Sequence, residues 1–259
     1  MKVRMYNVGF GDCFCLRDRK KSLLVDFGTN NSRIEGRPRR EIFDVIISDL
    51  STIKSKNLLL THFHMDHLSG LLYMMKKKDI SVDFGKIYLP DVFSKKEMSR
   101  TLVLLLLADL LKESGLPSRQ VSLFALVDAL LENKQNVELL SRGKLFENKY
   151  QALWPDTDVI RKETDEVYNR ICEDGKFKEV MDVLLEFAEK LRLIVWSMTA
   201  EGNKPAETVE KETDSTASEL TEQPEVRQKI IRAYVYEGEF RRIKALPDLK
   251  KLLAWLNEN

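Results

Sequence analysis

Three histidines and one aspartate stand close together in the chain, directly after a short apolar run. The run ends at Leu60, and the polar side chains that follow it are His62, His64, Asp66 and His67. The chain of 259 residues contains three histidines, so its whole supply of imidazole lies in this segment. Neutral imidazole nitrogens and carboxylate oxygens are the ligands that suit zinc, manganese or iron. The segment therefore predicts a site for divalent metal ions, in preference to a loop whose histidines only fill space.

The elements around this segment follow from its apolar spacing. A short apolar run that stops at polar residues is typical of a buried strand that enters a loop. The apolar residues behind the loop recur at helical spacing: Leu68, Leu71, Leu72 and Met75. His62 and His64 are two positions apart, so an extended backbone lets both side chains converge on one ion. We expect Asp66 and His67 to lie in the following turn and to hold a second ion.

Two earlier segments bear on the same site: Val8-Gly9-Phe10-Gly11-Asp12 and Leu23-Leu24-Val25-Asp26-Phe27-Gly28. Together with the Thr-His-x-His-x-Asp-His motif, they resemble the metallo-β-lactamase fold superfamily. Within it, they are most similar to the branch that includes the hydrolase domain of the ComEC/Rec2 DNA-uptake proteins. The resemblance covers roughly the first ninety residues, with a fainter likeness near Trp154. It implies an α/β fold that forms the first half of a four-layer αββα sandwich.

The resemblance also implies metal-assisted hydrolysis with two divalent ions, either zinc or manganese or iron. His62 and His64 would hold the first ion, and Asp66 and His67 would hold the second. Asp66 would also orient the attacking water, which makes it the candidate catalytic residue. In the family, the counterpart of Asp26 hydrogen bonds to the metal loop, and such groups orient the ligands themselves.

Two further sets of polar residues each have two interpretations. Asp12 either lines the site or serves as a turn carboxylate. The polar loop before the next predicted helix carries Arg37, Arg39 and Arg40, which either guide a phosphate group to the site or belong to a solvated surface. Phosphodiesters are the favoured substrates because of these arginines and the resemblance. Carboxylic esters, thioesters and lactams are also compatible with the residues.

Later parts of the family pattern are missing from this chain. A complete member has further metal ligands downstream, namely two histidines and a bridging aspartate. Here no histidine follows His67, and no Gly-Asp pair follows Gly11-Asp12. Three protein ligands and a water are the usual minimum for catalytic zinc. The chain is then a fragment, a subunit of a split enzyme whose partner supplies the missing ligands, or a degenerate member.

Two functions follow from these alternatives. The first is a metal-dependent hydrolase that acts on phosphodiesters or nucleic acid once the missing half is supplied, so whether this chain alone is an enzyme stays open. The second is a non-catalytic interaction module whose helices recruit a partner. In both, something must cover the apolar sheet face of a half-sandwich, which carries Val3, Met5, Cys13, Leu24 or their neighbours. The cover is the helices of the chain, a second copy or a separate polypeptide.

Changes in composition divide the chain into four parts. Residues 1–155 are the metallo-β-lactamase-like part, with a helical insertion at about 94–142 that contains the apolar run Leu102 to Leu107. Residues 156–200 are predicted to be helical. Residues 201–225 are acidic and poor in apolar side chains, which predicts a disordered linker. Residues 226–259 are predicted to form short helices.

Net charge and cysteine content indicate how the chain would attract an anionic substrate and in which compartment it would be found. A net charge of +1 gives no general attraction to nucleic acid, so an anionic substrate must be drawn by a local patch. Three cysteines without framework spacing fit a reducing compartment. No secretory signal is visible, and no apolar run is long enough to span a membrane. We therefore expect a cytoplasmic protein.

Overall fold

A six-stranded mixed sheet forms the centre of the protein in the computed structural model. The structure describes residues 1–18, 21–77, 83–113, 121–133, 135–173, 175–200 and 238–258. In order across the sheet, the strands are β1 (Lys2–Met5), β2 (Phe14–Asp18), β3 (Lys21–Val25), β6 (Ser55–Leu59), β7 (Ile87–Pro90) and β8 (Val137–Leu140). The pairs β1–β2 and β2–β3 are antiparallel, whereas β3, β6, β7 and β8 run parallel. The predicted α/β class is confirmed.

Helices and two small hairpins complete the described part of the chain. The hairpins are β4 (Arg33–Ile34) with β5 (Arg37–Pro38), and β9 (Leu145–Phe146) with β10 (Tyr150–Gln151). The helices are α1 (Arg39–Ser51), α2 (Met65–Lys76), α3 (Ser99–Glu113), α4 (Leu123–Glu132), α5 (Thr157–Cys172), α6 (Lys178–Ser197), α7 (Glu239–Lys244) and α8 (Leu249–Glu258). No helix in the described ranges is both long and apolar enough to cross a membrane.

One face of the sheet is covered by helices from β2 to β8. A row of cross-strand neighbours runs along this face and is buried in the main core: Cys15, Leu24, Leu58, Ile87 and Val137. The same core contains apolar side chains of the helices α1 to α8. Because alternate residues of a strand point to opposite faces, the register that buries this row directs its neighbours in sequence to the other face.

The opposite face of the sheet is covered only in part. The β9–β10 hairpin contributes Phe146 to a second, smaller core that contains Leu23 and Tyr88. On β1, Val3 is 61% exposed and Met5 is 72% exposed. Among the described residues, then, a partial sandwich begins with a two-stranded second layer and leaves the β1 end open.

The register decides which residues lie on the open face. Val3 and Met5 are exposed there, as one alternative of the sequence analysis expected, whereas Cys13 and Leu24 are buried against the helices.

Asp66 and His67 were predicted in a turn, but they occupy the first turn of α2, because the helix begins directly after His64.

The segment predicted as a helical insertion also contains a strand. β8 lies within the range 94–142, where it pairs with β7 and extends the parallel part of the sheet. A strand of four residues gives a weak pattern, and its register depends on β7 rather than on its own sequence. The predicted linker at 201–225 and the residues up to 237 lie outside the part that the structure describes.

Candidate metal centre

The histidine segment lies where two parallel strands end beside each other. β3 ends at Val25, directly before Asp26, and β6 ends at Leu59, shortly before His62. β3 and β6 are paired in parallel, so their carboxyl ends meet at one edge of the sheet. Ligand sites in parallel sheets form at this edge because side chains from several strand ends converge there. α2 starts at the same edge and brings Asp66 and His67 into the first helical turn.

Backbone hydrogen bonds hold the histidine segment against the two earlier motifs. Phe27 N–H donates to the His67 carbonyl at 2.7 Å, and Gly70 N–H donates to the Phe27 carbonyl at 2.8 Å. Asp12 N–H donates to the Asp66 carbonyl at 3.2 Å. These bonds connect three segments that are far apart in sequence, so the site is an assembled structure rather than a single loop.

Two glycines allow this close approach. A Cβ atom on Gly28 would lie 2.6 to 2.7 Å from backbone atoms of Asp66, His67 and Leu68. A Cβ atom on Gly11 would lie 2.3 Å from the Gly28 carbonyl oxygen. Side chains cannot occupy that space, which gives a physical reason for the glycines beside Asp12 and Phe27.

Asp26 joins the parts of the site through its buried carboxylate. Its oxygens accept hydrogen bonds from Thr61 N–H at 2.8 Å and from Thr61 Oγ1 at 2.7 Å. The same carboxylate lies 2.9 Å from His67 Nδ1. Asp26 has a positive φ of 55°, a region that aspartate tolerates better than most residues. This geometry orients the His67 ring and the backbone at Thr61 together. Sequence analysis assigned no role to Thr61, although its place directly before His62 was the available signal.

Both ring nitrogens of His67 face carboxylates. Nδ1 lies 3.6 Å from an oxygen of Asp12 in addition to Asp26, and Nε2 lies 3.8 Å from an oxygen of Asp66. Burial lowers the pKa of His67, but the hydrogen bond to Asp26 and the surrounding negative charge outweigh it and raise the pKa above the usual 6.5. Asp12 therefore lines the cluster, which was one of its two interpretations.

His62 has the opposite electrostatic environment. Partial burial lowers its pKa below 6.5, and positive charge on His67 and His64 lowers it further. Its ring centroid lies 3.8 Å from that of His67 and 4.7 Å from that of His64. Its Nδ1 lies 3.0 Å from Thr61 Oγ1. A neutral imidazole is the form that offers a lone pair to a cation.

The ligand atoms form two groups that share His67. One atom each of His62, Asp66 and His67 lies within 4.8 Å of the others, and the same holds for Asp12, Asp26 and His67. His64 is in neither group, although its ring is next to that of His62. The expected division, with His62 and His64 on one ion, is not the grouping in this geometry. Imidazoles, carboxylates and an Asp26–His67 pair are a donor set that fits a divalent cation.

The predicted substrate-binding arginines interact with residues that are close to them in the sequence. Arg37 Nε lies 3.7 Å from a carboxylate oxygen of Glu41, and the backbone N–H of Arg39 donates to the Ser32 carbonyl. Burial raises the pKa of Asp44 on the same helix, but hydrogen bonds from Lys77 and Tyr73 and the charges of Lys77 and Arg40 outweigh it and lower the pKa. These contacts lie at the start of α1, and a role of the arginines toward substrate stays a prediction.

Comparison with known proteins gives a family for the part of the chain that carries the site. Residues 6–91 match the metallo-beta-lactamase superfamily. The endoribonuclease YSH1 of Mycosarcoma maydis is 32% identical over 77 residues, which are 30% of this chain and 8% of that protein. The chain therefore spans only a small part of the length of this curated relative. No solved structure matches the chain.

These findings confirm the predicted resemblance at the level of the superfamily. The matched range contains Asp12, Asp26 and the whole histidine segment. The α/β architecture is consistent with a partial metallo-β-lactamase fold. The narrower likeness to the ComEC/Rec2 branch stays a prediction.

Proposed function

We propose, from the similarity of residues 6–91 to the metallo-beta-lactamase superfamily, that this chain carries the metal-binding half of a metal-dependent hydrolase. The observation that carries the proposal is the convergence of His62, Asp66 and His67, whose ligand atoms lie within 4.8 Å of one another. The buried Asp26 supports it, because a carboxylate on the second nitrogen of a ligating histidine fixes the ring for metal binding.

The residues would divide the work as follows. His62 and His67 would offer ring nitrogens, Asp66 a carboxylate oxygen, and His64 a further nitrogen from its adjacent position. Divalent ions bound there, zinc or else manganese or iron, would acidify water and polarise the scissile bond. Asp66 would orient the attacking water by accepting a hydrogen bond from it. Asp26 would keep the Nδ1 proton of His67 in place, so that Nε2 faces the site.

Phosphodiesters, including nucleic acid, are the substrate class that we propose. The name of the related protein, endoribonuclease YSH1, favours this class, and its similarity lies in the same family. Arg37, Arg39 and Arg40 would guide the phosphate, since the net charge of +1 supplies no general attraction.

The proposed hydrolase is incomplete without further polypeptide. The two groups of converging ligand atoms share His67 and so supply too few ligands for two complete sites, and no histidine follows His67 in the chain. The missing ligands would come from a following stretch of polypeptide or from a separate subunit. The open end of the sheet, with Val3 and Met5 exposed, is the surface that we propose for this partner. Covering it would remove apolar side chains from water.

A second candidate is a non-catalytic module that recruits a protein partner through its helices. The observation that favours it is the exposure of apolar side chains on two helices, at Val159 and Val167 of α5 and Leu193 of α6. In that case the histidine segment would bind metal weakly or not at all.

Metal titration of the purified chain separates the two candidates. We expect zinc or cobalt to bind to the wild type and binding to be lost in His62→Ala, with Glu186→Gln on α6 as the control for removal of an unrelated carboxylate. A bis(p-nitrophenyl) phosphate assay with added zinc or manganese should then show little or no turnover. Absence of metal binding would reject the hydrolase, and turnover near 10 s⁻¹, typical of complete enzymes, would reject the incomplete site.

A further inference from the structure

We propose that the inserted helices α3 and α4 position the metal loop, and that Asp109 of α3 is the positioning residue. The proposal rests on the proposed function, because it concerns the same histidines. It goes beyond that function by giving the inserted helices a task at the site. The loop would then be held from two sides, by Asp26 within the matched family range and by α4 within the insertion.

The insertion contacts the histidine segment through backbone atoms. Ser122 N–H donates to the Phe63 carbonyl at 3.1 Å. The residues beside them, His64 after Phe63 and Val121 before Ser122, form an isolated antiparallel β-bridge. Val121 and Ser122 are both buried, so water does not readily replace this contact. The backbone between His62 and Met65 is thus tied to the start of α4.

Asp109 fixes the start of α4 to α3. Its Oδ2 accepts a hydrogen bond at 2.9 Å from the backbone N–H of Phe124, the second residue of α4. Ser122, the N-cap residue, makes no capping bond with its own side chain. A buried carboxylate from the neighbouring helix therefore takes the place of an N-cap, at the helix end where negative charge is favourable.

α3 is itself a firm support for this contact. Leu102 and Leu106 are completely buried in the main core. Arg100 pairs with Asp165 of α5 at 2.9 Å. These contacts connect the core to α3, α3 through Asp109 to α4, and the start of α4 to Phe63 and His64. Displacement of α4 would move the loop that carries the ligands.

The proposal can be tested by metal affinity in matched variants. Asp109→Ala removes the acceptor, and Asp109→Asn keeps an amide oxygen that can accept from Phe124. Thr101→Ala changes an equally buried side chain of α3, whose hydroxyl oxygen lies 2.9 Å from that of Thr164 on α5 instead. We expect Asp109→Ala to weaken cobalt binding about tenfold or more, as loss of groups that orient ligands does. Asp109→Asn should restore most of the affinity, and Thr101→Ala should leave it unchanged.

Hydrogen exchange of the metal-free protein gives a readout that does not depend on metal. In the wild type, the Ser122 amide should exchange slowly, because it is bonded to Phe63. In Asp109→Ala it should exchange faster, while in Thr101→Ala it should not. Equal cobalt affinity and equal Ser122 exchange in Asp109→Ala and Thr101→Ala would overturn the proposal.

The two proposals can fail separately. If the wild type binds no cobalt, the proposed function is wrong, and Ser122 exchange still decides whether the insertion holds the loop. If Asp109→Ala does not fold, the wild type decides the question: a Ser122 amide that exchanges like an unprotected one would reject the positioning role.

Discussion

Asp26 Oδ2 lies 2.9 Å from His67 Nδ1, although 41 positions separate the two residues in the chain. The same carboxylate accepts two hydrogen bonds from Thr61. A single buried side chain thus ties the end of β3 to the end of β6 and to the first turn of α2. The candidate centre depends on this contact as much as on the histidines.

Replacement of Asp26 should damage both metal binding and stability. In Asp26→Ala, the Thr61 N–H loses its buried acceptor, which should cost about 1–3 kcal/mol in the free energy of unfolding. Metal affinity should fall by about 10- to 100-fold, because His67 is no longer oriented. Asp158→Asn is the control, since Asp158 is an exposed carboxylate of α5 that belongs to neither group of ligand atoms. Urea unfolding and cobalt titration measure the two effects, and an Asp26 variant that binds like the control would contradict the assigned role.

His62 and His64 should differ in their importance for the metal. His62 shares a group of converging ligand atoms with Asp66 and His67, whereas His64 does not. We expect His62→Ala to abolish zinc binding in isothermal titration calorimetry and His64→Ala to weaken it less. If His64→Ala weakened zinc binding more than His62→Ala did, His64 would be a metal ligand, and the grouping of His62 with Asp66 and His67 would be wrong.

The open end of the sheet should tolerate a charge. Met5→Lys places an ammonium group where the side chain is mostly exposed, so the free energy of unfolding should change by no more than about 0.5 kcal/mol. Leu24→Ala, on the covered face of the same sheet, should cost about 2–5 kcal/mol. The wild type should bind a hydrophobic dye or self-associate in light scattering, and Met5→Lys should do so less. A monomer without dye binding, or a large cost of Met5→Lys, would mean that the face is already covered.

Asp49 should contribute to the loss of folding stability at low pH. Burial raises its pKa, but hydrogen bonds from Tyr6 and Arg4 and the charges of Arg4 and Arg17 outweigh burial and lower the pKa below 3.8. The carboxylate therefore stabilises the fold fully above its unfolded pKa, and this stabilisation is lost as the pH falls through the lower, folded-state value. Urea unfolding at about pH 6 and pH 2.5 should show a smaller acid loss in Asp49→Asn than in the wild type. The exposed Asp158→Asn serves as the control, and an equal loss in all three proteins would refute the linkage.

Local pattern was sufficient for the elements that surround the centre. The apolar run before His62 and the helical spacing after it predicted β6 and α2, because both signals lie within a dozen residues. The metal loop between them followed from residue types alone. The position of Asp26 at a strand end came from the family resemblance, and the structure adds the atoms that it contacts.

Other features depended on contacts between distant segments. Whether Asp66 and His67 lie in a turn or in a helix depends on where α2 begins, and one residue of difference rotates a helical side chain by about 100°. How the ligands divide between two ions stays a prediction. The contact of Val121 with His64 joins residues that no local pattern relates.

The order of residues was enough to predict a candidate metal-binding segment, an α/β fold and the alternation of apolar residues along each strand. Tertiary structure alone decided which side of that alternation is buried. Alternation gives two equivalent faces, and Cys15 and Leu24 became the core because α1 to α6 pack on their side. Val3 and Met5, on the other side, are exposed because the smaller core, which includes Phe146 of the β9–β10 hairpin, does not extend to them. Burial depends on which surfaces meet, and that depends on pairings across the whole chain.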